Sequence, residues 1–211
     1  MLLRITALCL LVATRLSAAP LLTVSSPQDG WSVNSPIYFA ATATSPTCAK
    51  GVAAIRIYAA PHVAVFSIDA AEFETFVNLK PGTYEAVVQA WDNCGEVAKV
   101  VRKVTVMSAA GVTVYAPANH GIAGTPAHFV ASASSPGCAR GISAIRVYTA
   151  PGVEAHTETA NHLQADVNLA PGEYSTVVQA WDNCGHVFKV PITTTVKPPP
   201  TPLATPRVPS F

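Results

Sequence analysis

The chain has 211 residues, with 13 Lys and Arg against 12 Asp and Glu, so its formal net charge is only +1. Charged residues make up 12% of the sequence and form no basic stripe, which argues against a nucleic-acid-binding surface. Val, Ala and Thr are abundant, and 18 prolines and 12 glycines divide short apolar runs, a composition typical of an all-β protein.

Residues 1–19 predict a secretory signal peptide. Arg4 provides a weak positive charge, residues 5–14 form a short apolar run, and Ala18 and Ala19 are small residues at which cleavage is expected. A run of about ten apolar residues is too short for a bilayer of about 30 Å, so we expect no membrane span after signal cleavage. The alternative interpretation is a short N-terminal anchor or core segment.

Seven strands are predicted in the next 90 residues, from alternating polarity between Pro-, Gly- and Ser-containing breaks. In the third strand, Ile55 and Ile57 should face the core and Arg56 the opposite side. The predicted strands are Leu22–Ser26, Ile37–Thr44, Val52–Ala59, Val63–Ile68, Phe73–Leu79, Thr83–Trp91 and Val97–Val106.

The whole pattern returns after 90 residues, because PGTYEAVVQAWDNCG ends at Gly95 and PGEYSTVVQAWDNCG ends at Gly185. A unit of this length is too long for a solenoid repeat and suits a β-sandwich of about 100 residues. The sequence therefore predicts two tandem all-β domains of about seven strands each, residues 20–107 and 111–197. The short linker between them should be flexible at Gly111.

A tyrosine follows a Pro-Gly turn at the start of the sixth strand of each unit, at Tyr84 and Tyr174. This position matches the tyrosine corner of Greek-key sandwiches, in which the hydroxyl bonds back to the chain and the ring packs in the core. We therefore expect both tyrosines to be structural.

Three segments resemble bacterial Ig-like domains: SPQDG near the start, GISAIRVY, and LKPGTYEAVVQAWDNCG. The resemblance covers residues 21–106 and 112–196 and implies two Ig-like Greek-key sandwiches, as found in tandem in exported and cell-surface bacterial proteins. Fibronectin type III domains share the Pro-Gly-x-Tyr turn and are the nearest alternative.

Signal cleavage would remove Cys9 and leave two cysteines in each unit. An even count with duplicated spacing in an exported chain predicts the disulfides Cys48–Cys94 and Cys138–Cys184, which keep each bridge within one domain. Each would stabilise its domain by about 4 kcal/mol at most. A zinc site built from the four thiolates is the competing interpretation, but the chain has no CxxC pair.

Catalytic patterns are not recognisable in this sequence. HExxH, GxSxG and glycine-rich phosphate loops are absent, and Asp92 and Asp182 are the only acidic residues at matching positions of the two units. Asp92 and Asn93 could offer oxygens to Ca²⁺, but that ion takes six to eight ligands, and capping of a turn is the favoured interpretation. We therefore expect no enzyme activity, no metal and no cofactor.

One outward-facing group of side chains is a candidate binding face in each unit. An arginine could stack on the tryptophan as a structural cation–π pair, or the aromatic rings could form a platform for a sugar or a partner protein. The residues are Arg56, Tyr58, Trp91 and Lys99 in the first unit and Arg146, Tyr148, Trp181 and Lys189 in the second.

Residues 198–211 form a Pro-rich tail that should be extended or disordered, serving as a spacer or as a partner ligand. Together these features predict a non-enzymatic, secreted, periplasmic or cell-surface protein that acts as a spacer or adhesive contact module. The expected partners are a cell-surface protein or a polysaccharide. The alternative functions are a carbohydrate-binding module that uses Trp91 and Trp181, and a targeting companion of a separate enzyme.

Overall fold

The computed structural model describes residues 18–199. Most of the predicted signal peptide and of the Pro-rich tail lie outside this range, so both stay predictions. Within it the chain forms only strands and connecting turns, and it contains no helix that could span a membrane.

The first domain is a sandwich of two sheets. A three-stranded sheet has the order β1-β3-β6, and a five-stranded sheet has the order β2-β8-β7-β4-β5, in which only β2 and β8 are parallel. The strands are β1 (Leu21–Ser26), β2 (Ser32–Val33), β3 (Ile37–Thr44), β4 (Val52–Ala60), β5 (Val63–Ile68), β6 (Glu72–Val77), β7 (Gly82–Asp92) and β8 (Val97–Val106).

The second domain repeats this topology, with the sheets β9-β11-β14 and β10-β16-β15-β12-β13. The predicted all-β class and the pair of Ig-like sandwiches are thus confirmed. The strands are β9 (Gly111–Ala116), β10 (Gly121–Ala123), β11 (Ala127–Ser134), β12 (Ile142–Ala150), β13 (Val153–Glu158), β14 (His162–Val167), β15 (Gly172–Asp182) and β16 (Val187–Val196).

Each domain has eight strands rather than the predicted seven. The additional strands, β2 and β10, have two and three residues, too few for polarity to alternate recognisably. Each lets the chain cross from the first sheet to the second and pair in parallel with the last strand of its domain. The other predicted strands of the first domain agree with the structure to within two residues at each end.

The core of each domain lies between its two sheets and is built by alternate residues of the central strands. In the first domain Ile55, Ile57 and Val88 are fully buried, as the period of two predicts, and they pack with Phe39. The second domain buries Phe129 in the same manner. Because the side-chain period is two, a slip of one residue in these strands would expose the core, so the register is strongly determined.

Tyr84 lies near the start of β7, and Tyr174 lies at the equivalent position of β15. The Tyr84 hydroxyl donates to the Lys80 carbonyl at 2.9 Å, and the Tyr174 hydroxyl donates to the Ala170 carbonyl at 3.0 Å. Both rings pack against the core of their own domain.

The outer faces of the two three-stranded sheets pack against each other and join the domains. Tyr115 of β9 contacts an aromatic cluster of the first domain, with ring centroids 5.5 Å from Tyr38, 6.4 Å from Phe76 and 6.3 Å from Trp31. Burial raises the pKa of Tyr115 to about 12, so its hydroxyl stays protonated at neutral pH. Val130 of β11 is buried in the same cluster.

A hydrogen-bonded hub at Asn34 supplements this aromatic cluster. Asn34 is only 1% exposed. Its backbone N–H donates to Thr113 Oγ1 at 2.8 Å, and its side-chain Oδ1 accepts from the Ser134 hydroxyl at 2.9 Å. Its carbonyl accepts a longer bond, 3.4 Å, from Ser132. Because all three partners belong to the second domain, these bonds fix the orientation of the two domains.

The linker is shorter and more ordered than the sequence suggested. Gly111 is the first residue of β9 and pairs with Ser134. A Cβ atom at Gly111 would lie 3.3 Å from Asn34 Nδ2, a tight contact, so this glycine packs closely against Asn34. At the other end of the linker, the Met107 N–H donates to the Val33 carbonyl at 2.9 Å.

Replacing Tyr115 with Ala should decouple the domains. We expect the variant to lose about 2–3 kcal/mol of unfolding free energy, because a partly buried aromatic ring leaves a cavity between the two sheets. Urea denaturation, followed by tryptophan fluorescence, measures the loss. Val63→Ala, which shortens an exposed side chain of β5 in the first domain, is the control and should unfold like the native protein. A Tyr115→Ala midpoint equal to the native one would contradict this account of the interface.

Candidate binding faces and the loop staple

The outer face of the first domain's five-stranded sheet carries a row of polar side chains across three strands. Arg56 of β4 pairs with Gln89 of β7, which in turn pairs with Lys99 of β8. An aromatic residue lies on each side of this row: Trp91 of β7 on one side and Tyr58 of β4 on the other. Arg56 and Lys99 are exposed, whereas both aromatic side chains are partly buried.

The arginine of this row lies over the tryptophan in both domains. The Arg56 guanidinium carbon is 5.2 Å from the centroid of the Trp91 ring, and that of Arg146 is 5.0 Å from the centroid of the Trp181 ring. This is the geometry of the structural cation–π pair. Both indoles are partly exposed, so the platform interpretation stays a prediction.

The second domain repeats the row as Arg146, Gln179 and Lys189. Tyr148 contacts Trp181 edge to face, with ring centroids 6.5 Å apart. The structure therefore brings all eight residues of the predicted faces together, four on each domain.

The two arginines differ in their polar partners. Arg56 Nε donates to the Ser67 hydroxyl at 3.1 Å, and no carboxylate within residues 18–199 forms an ion pair with Arg56. Arg146 Nη1 instead lies 3.1 Å from Glu154 Oε2. Glu154 corresponds to Ala64 in the first domain. The charge of Arg146 is therefore balanced, and that of Arg56 is not.

An open groove of about 750 Å³ adjoins the row on the first domain. Its lining combines apolar and aromatic side chains with the amide of Gln89, the ammonium group of Lys99, the carboxylate of Glu85 and the imidazole of His62. The lining residues include Tyr58, Tyr84, Val87, Gln89, Lys99 and Val101.

One disulfide closes the loop end of each domain. The predicted bridges Cys48–Cys94 and Cys138–Cys184 both form, each with its Cα atoms 5.9 Å apart. They join the β3–β4 connection to the β7–β8 connection in the first domain, and the equivalent connections in the second.

A buried aspartate reinforces each bridge. Asp92 Oδ1 accepts hydrogen bonds from the backbone N–H groups of Cys94 and Glu96, both at 2.9 Å. Its Oδ2 accepts from the Ser45 hydroxyl at 2.7 Å. Asn93 acts differently from the expected capping of amides, because its side chain donates to the Lys50 carbonyl at 2.8 Å. We call this arrangement of disulfide, Asp and Asn the loop staple.

The loop staple of the second domain has an additional member. Asp182 Oδ2 accepts from the Ser135 hydroxyl at 2.7 Å and lies 2.8 Å from His186 Nδ1. Its Oδ1 accepts from the backbone N–H of His186 at 2.8 Å. Burial alone would raise the pKa of Asp182, but the hydrogen bonds from Ser135 and His186 hold it well below its usual range. The Ser45 hydroxyl lowers the pKa of Asp92, against the effect of burial.

The sulfurs of Cys48 and Cys94 lie within 4.8 Å of an Asp92 oxygen, and the second domain repeats this cluster. In the disulfide the two sulfurs are bonded to each other and offer no thiolate to a cation. The hydrogen bonds to Asp92 already occupy both of its oxygens. The cluster therefore has a structural explanation.

A cleft of about 590 Å³ lies between the domains, and sequence reasoning missed it. Phe76 of β6 stacks on His162 of β14 with ring centroids 4.6 Å apart, and Gln164 donates to the Glu74 carboxylate. Phe76 corresponds to Asp166 and His162 to Glu72, so the repeat gives no sign of this contact.

Comparison with solved structures gives matches of low sequence identity and low TM-score. The fibronectin(III)-like modules of Clostridium thermocellum CbhA are 18% identical over 84% of this chain and 95% of that chain, with a TM-score of 0.36. The Ig1-2 module of the Drosophila receptor protein tyrosine phosphatase DLAR is 9% identical over 86% of this chain and 100% of that chain, with a TM-score of 0.35. The titin domains Z1Z2, solved in complex with telethonin, are 12% identical over 87% and 99%, with a TM-score of 0.31.

Neither a protein-family model nor a curated protein matches the chain. Because the TM-scores are this low, the fold class rests on the strand order and pairing of the chain itself.

Lowering the pH should reduce the free energy of unfolding, because the buried Asp92 and Asp182 become protonated. Their pKa values in the folded protein lie below the unfolded value of about 3.9, so their stabilisation is complete above that pH and is lost as the pH falls towards the folded pKa. The double variant Asp92→Asn/Asp182→Asn should be less stable than the native protein at pH 7 and should lose less stability between pH 4 and pH 2.

Urea midpoints measured across this range give the comparison. Asp69→Asn, which changes an exposed aspartate of the first domain, is the control and should follow the native profile. Parallel profiles for the native protein and the double variant would contradict the assigned role of Asp92 and Asp182.

Proposed function

We propose that this protein is an exported, non-enzymatic adhesive module that holds two contact faces in a fixed arrangement at or beyond the bacterial cell envelope. Disulfides in each domain support export, because such bonds persist in oxidising compartments. Residues 1–19 supply the signal peptide in this proposal, and the Pro-rich tail supplies a spacer.

The observation that carries the proposal is the packing of one three-stranded sheet on the other through Tyr38, Tyr115 and Val130. Each domain turns its three-stranded sheet towards its neighbour, so the five-stranded sheets form the two outward layers. The faces around Trp91 and Trp181 therefore point away from each other. Two such faces suit a bridge between two partners better than double attachment to one flat surface.

The groups that could suggest catalysis have structural roles in this proposal. Asp92 and Asp182 hold backbone N–H groups in the loop staple, and Tyr84 and Tyr174 hold their corners. Engagement of these groups in fixed hydrogen bonds favours a mechanical function over general acid–base catalysis.

A carbohydrate-binding module is the second candidate. Partial exposure of Trp91 and Trp181 beside Tyr58 and Tyr148 favours it, because an aromatic ring can pack against the face of a sugar. In this version the contact faces recognise polysaccharide rather than protein.

The test is binding of residues 20–211 to envelope fractions and to a panel of neutral and charged polysaccharides. The adhesive proposal predicts saturable binding to at least one fraction. The variant Trp91→Ala/Trp181→Ala, first shown to be folded, should bind less if the aromatic faces make the contact. Leu21→Ala removes an exposed apolar side chain (63% exposed) from the three-stranded sheet and should bind normally.

The outcomes separate the candidates. Polysaccharide binding that is lost in the tryptophan variant supports the carbohydrate-binding module, and protein binding that is lost supports adhesion through protein contacts. Export is tested by expressing the full chain in a bacterium and recovering a product that lacks residues 1–19. Retention in the cytoplasm with the N-terminus intact, together with no saturable binding, would overturn the proposal.

A further inference from the structure

The face of the first domain has more positive charge than its own acidic residues balance. On the outer face of β4, β7 and β8, three cations stand against one carboxylate, Glu85. Lys103 lies opposite Glu85 in the strand register, although the two side chains form none of the ion pairs among residues 18–199. Arg56 and Lys99 take part in none of the ion pairs among residues 18–199. Two exposed cations therefore remain available to an external anion.

These cations lie in one row with a neutral amide between them. Neighbouring strands are about 4.8 Å apart, so Arg56 and Lys99, two strands apart, are separated by about 10 Å at the backbone. Gln89 lies between them and can both donate and accept a hydrogen bond. The row thus combines two widely spaced anion-binding groups with a group suited to hydroxyls.

Arg56 is held in place but keeps donors free. Its guanidinium lies over Trp91, and its Nε donates to Ser67. Within the described residues, neither Nη atom of Arg56 has a hydrogen-bond partner in a side chain. A planar guanidinium held this way can bind a carboxylate through two parallel N–H groups, with little further loss of side-chain freedom. Trp91 therefore positions the arginine, which reconciles the structural and the binding interpretations of this pair.

We propose that this face of the first domain binds an acidic polysaccharide, a polymer of sugar rings that carry carboxylate groups. The inference rests on the proposed adhesive function and names the chemical class of its partner. Arg56 and Lys99 bind carboxylates of the polymer, Gln89 bonds to hydroxyls, and the groove beside Tyr58 and Val101 receives a sugar ring.

The spacing and number of the cations favour this polymer over other polyanions. Duplex DNA carries one charge for about every 1.7 Å of its axis, and proteins that bind it neutralise many phosphates. Anionic membranes are recognised by clusters of about 4–8 basic residues. Two free cations with an amide and an aromatic groove fit a chain of lower charge density that offers hydroxyls and ring faces.

The second domain should bind the same polymer less well. Glu154 lies 3.1 Å from Arg146 and occupies one of the groups that Arg56 leaves free. Ala64 stands at the equivalent position of the first domain. This single difference allows the proposal to be tested by exchanging the two residues.

The experiment measures binding of residues 20–211 to polygalacturonate, alginate and hyaluronate by calorimetry, with dextran as the neutral polymer. We expect at least one acidic polymer to bind in a salt-sensitive manner, and dextran to bind at least tenfold more weakly. Ala64→Glu should weaken binding about tenfold, because it gives Arg56 an internal carboxylate. Glu154→Ala should strengthen binding, because it frees Arg146.

Arg56→Met/Lys99→Met should abolish binding while preserving much of the apolar cover on Trp91. Lys50→Met/Lys80→Met removes the same charge from two exposed positions in connections outside the row and should bind normally. This control separates the row from a general effect of net charge.

The inference is overturned if none of the three acidic polymers binds, if Arg56→Met/Lys99→Met binds as the native protein does, or if dextran binds equally well. Tighter binding to duplex DNA or to anionic phospholipid vesicles would replace the polysaccharide by another class of partner. Saturable binding to an envelope fraction without binding to any acidic polymer would overturn this inference and leave the adhesive function standing. If the protein binds neither an envelope fraction nor an acidic polymer, both this inference and the proposed adhesive function are overturned.

Discussion

The insertion of Tyr115 between the two three-stranded sheets is the contact on which the rest of the architecture depends. Its ring packs on Tyr38 and Phe76, and Asn34 ties the same corner to the second domain by hydrogen bonds. Both the aromatic and the polar part of this interface are largely removed from water. Breaking it would therefore expose apolar surface and leave buried polar groups without partners, two costs that oppose rotation of one domain against the other.

This contact determines which surfaces are free to meet a partner. Because it covers part of each three-stranded sheet, the five-stranded sheets become the largest outward layers. The loop staple then adds rigidity at the loop end of each domain, where connections are ordinarily mobile. The result is a scaffold in which contact faces are held at fixed positions, and the asymmetry between Ala64 and Glu154 makes the two faces unequal in charge.

Features that the two units share could be predicted from the sequence. Alternating polarity along the strands predicted that Ile55 and Ile57 face the core, and the repeated cysteine spacing predicted both disulfides. Both features could be predicted because they depend only on the local period and composition of the sequence. The stacking of Arg56 on Trp91 followed from the same alternation, once the order of strands was assumed. The two-residue strand β2 was missed because its pairing depends on a partner distant in sequence.

The interface escaped prediction for a different reason. It is built from positions at which the units differ: Tyr115 replaces Ser25, and Asn34 stands where the second unit has Gly124. The repeat identifies residues that match between the units, whereas this contact joins residues that differ between them. Asn34 lies between β2 and β3, and Tyr115 lies in β9, so the two residues are far apart in the sequence and no local pattern connects them. Their contact depends on the packing of one three-stranded sheet on the other.

The measurement that tests this account most directly is a set of backbone residual dipolar couplings on residues 20–211. If the interface joins the sandwiches into one body, couplings from both domains will fit a single alignment tensor, with the domain orientation described here. Two tensors of different magnitude, or a single tensor that requires another orientation, would contradict the central claim that the contact faces are held in a fixed arrangement.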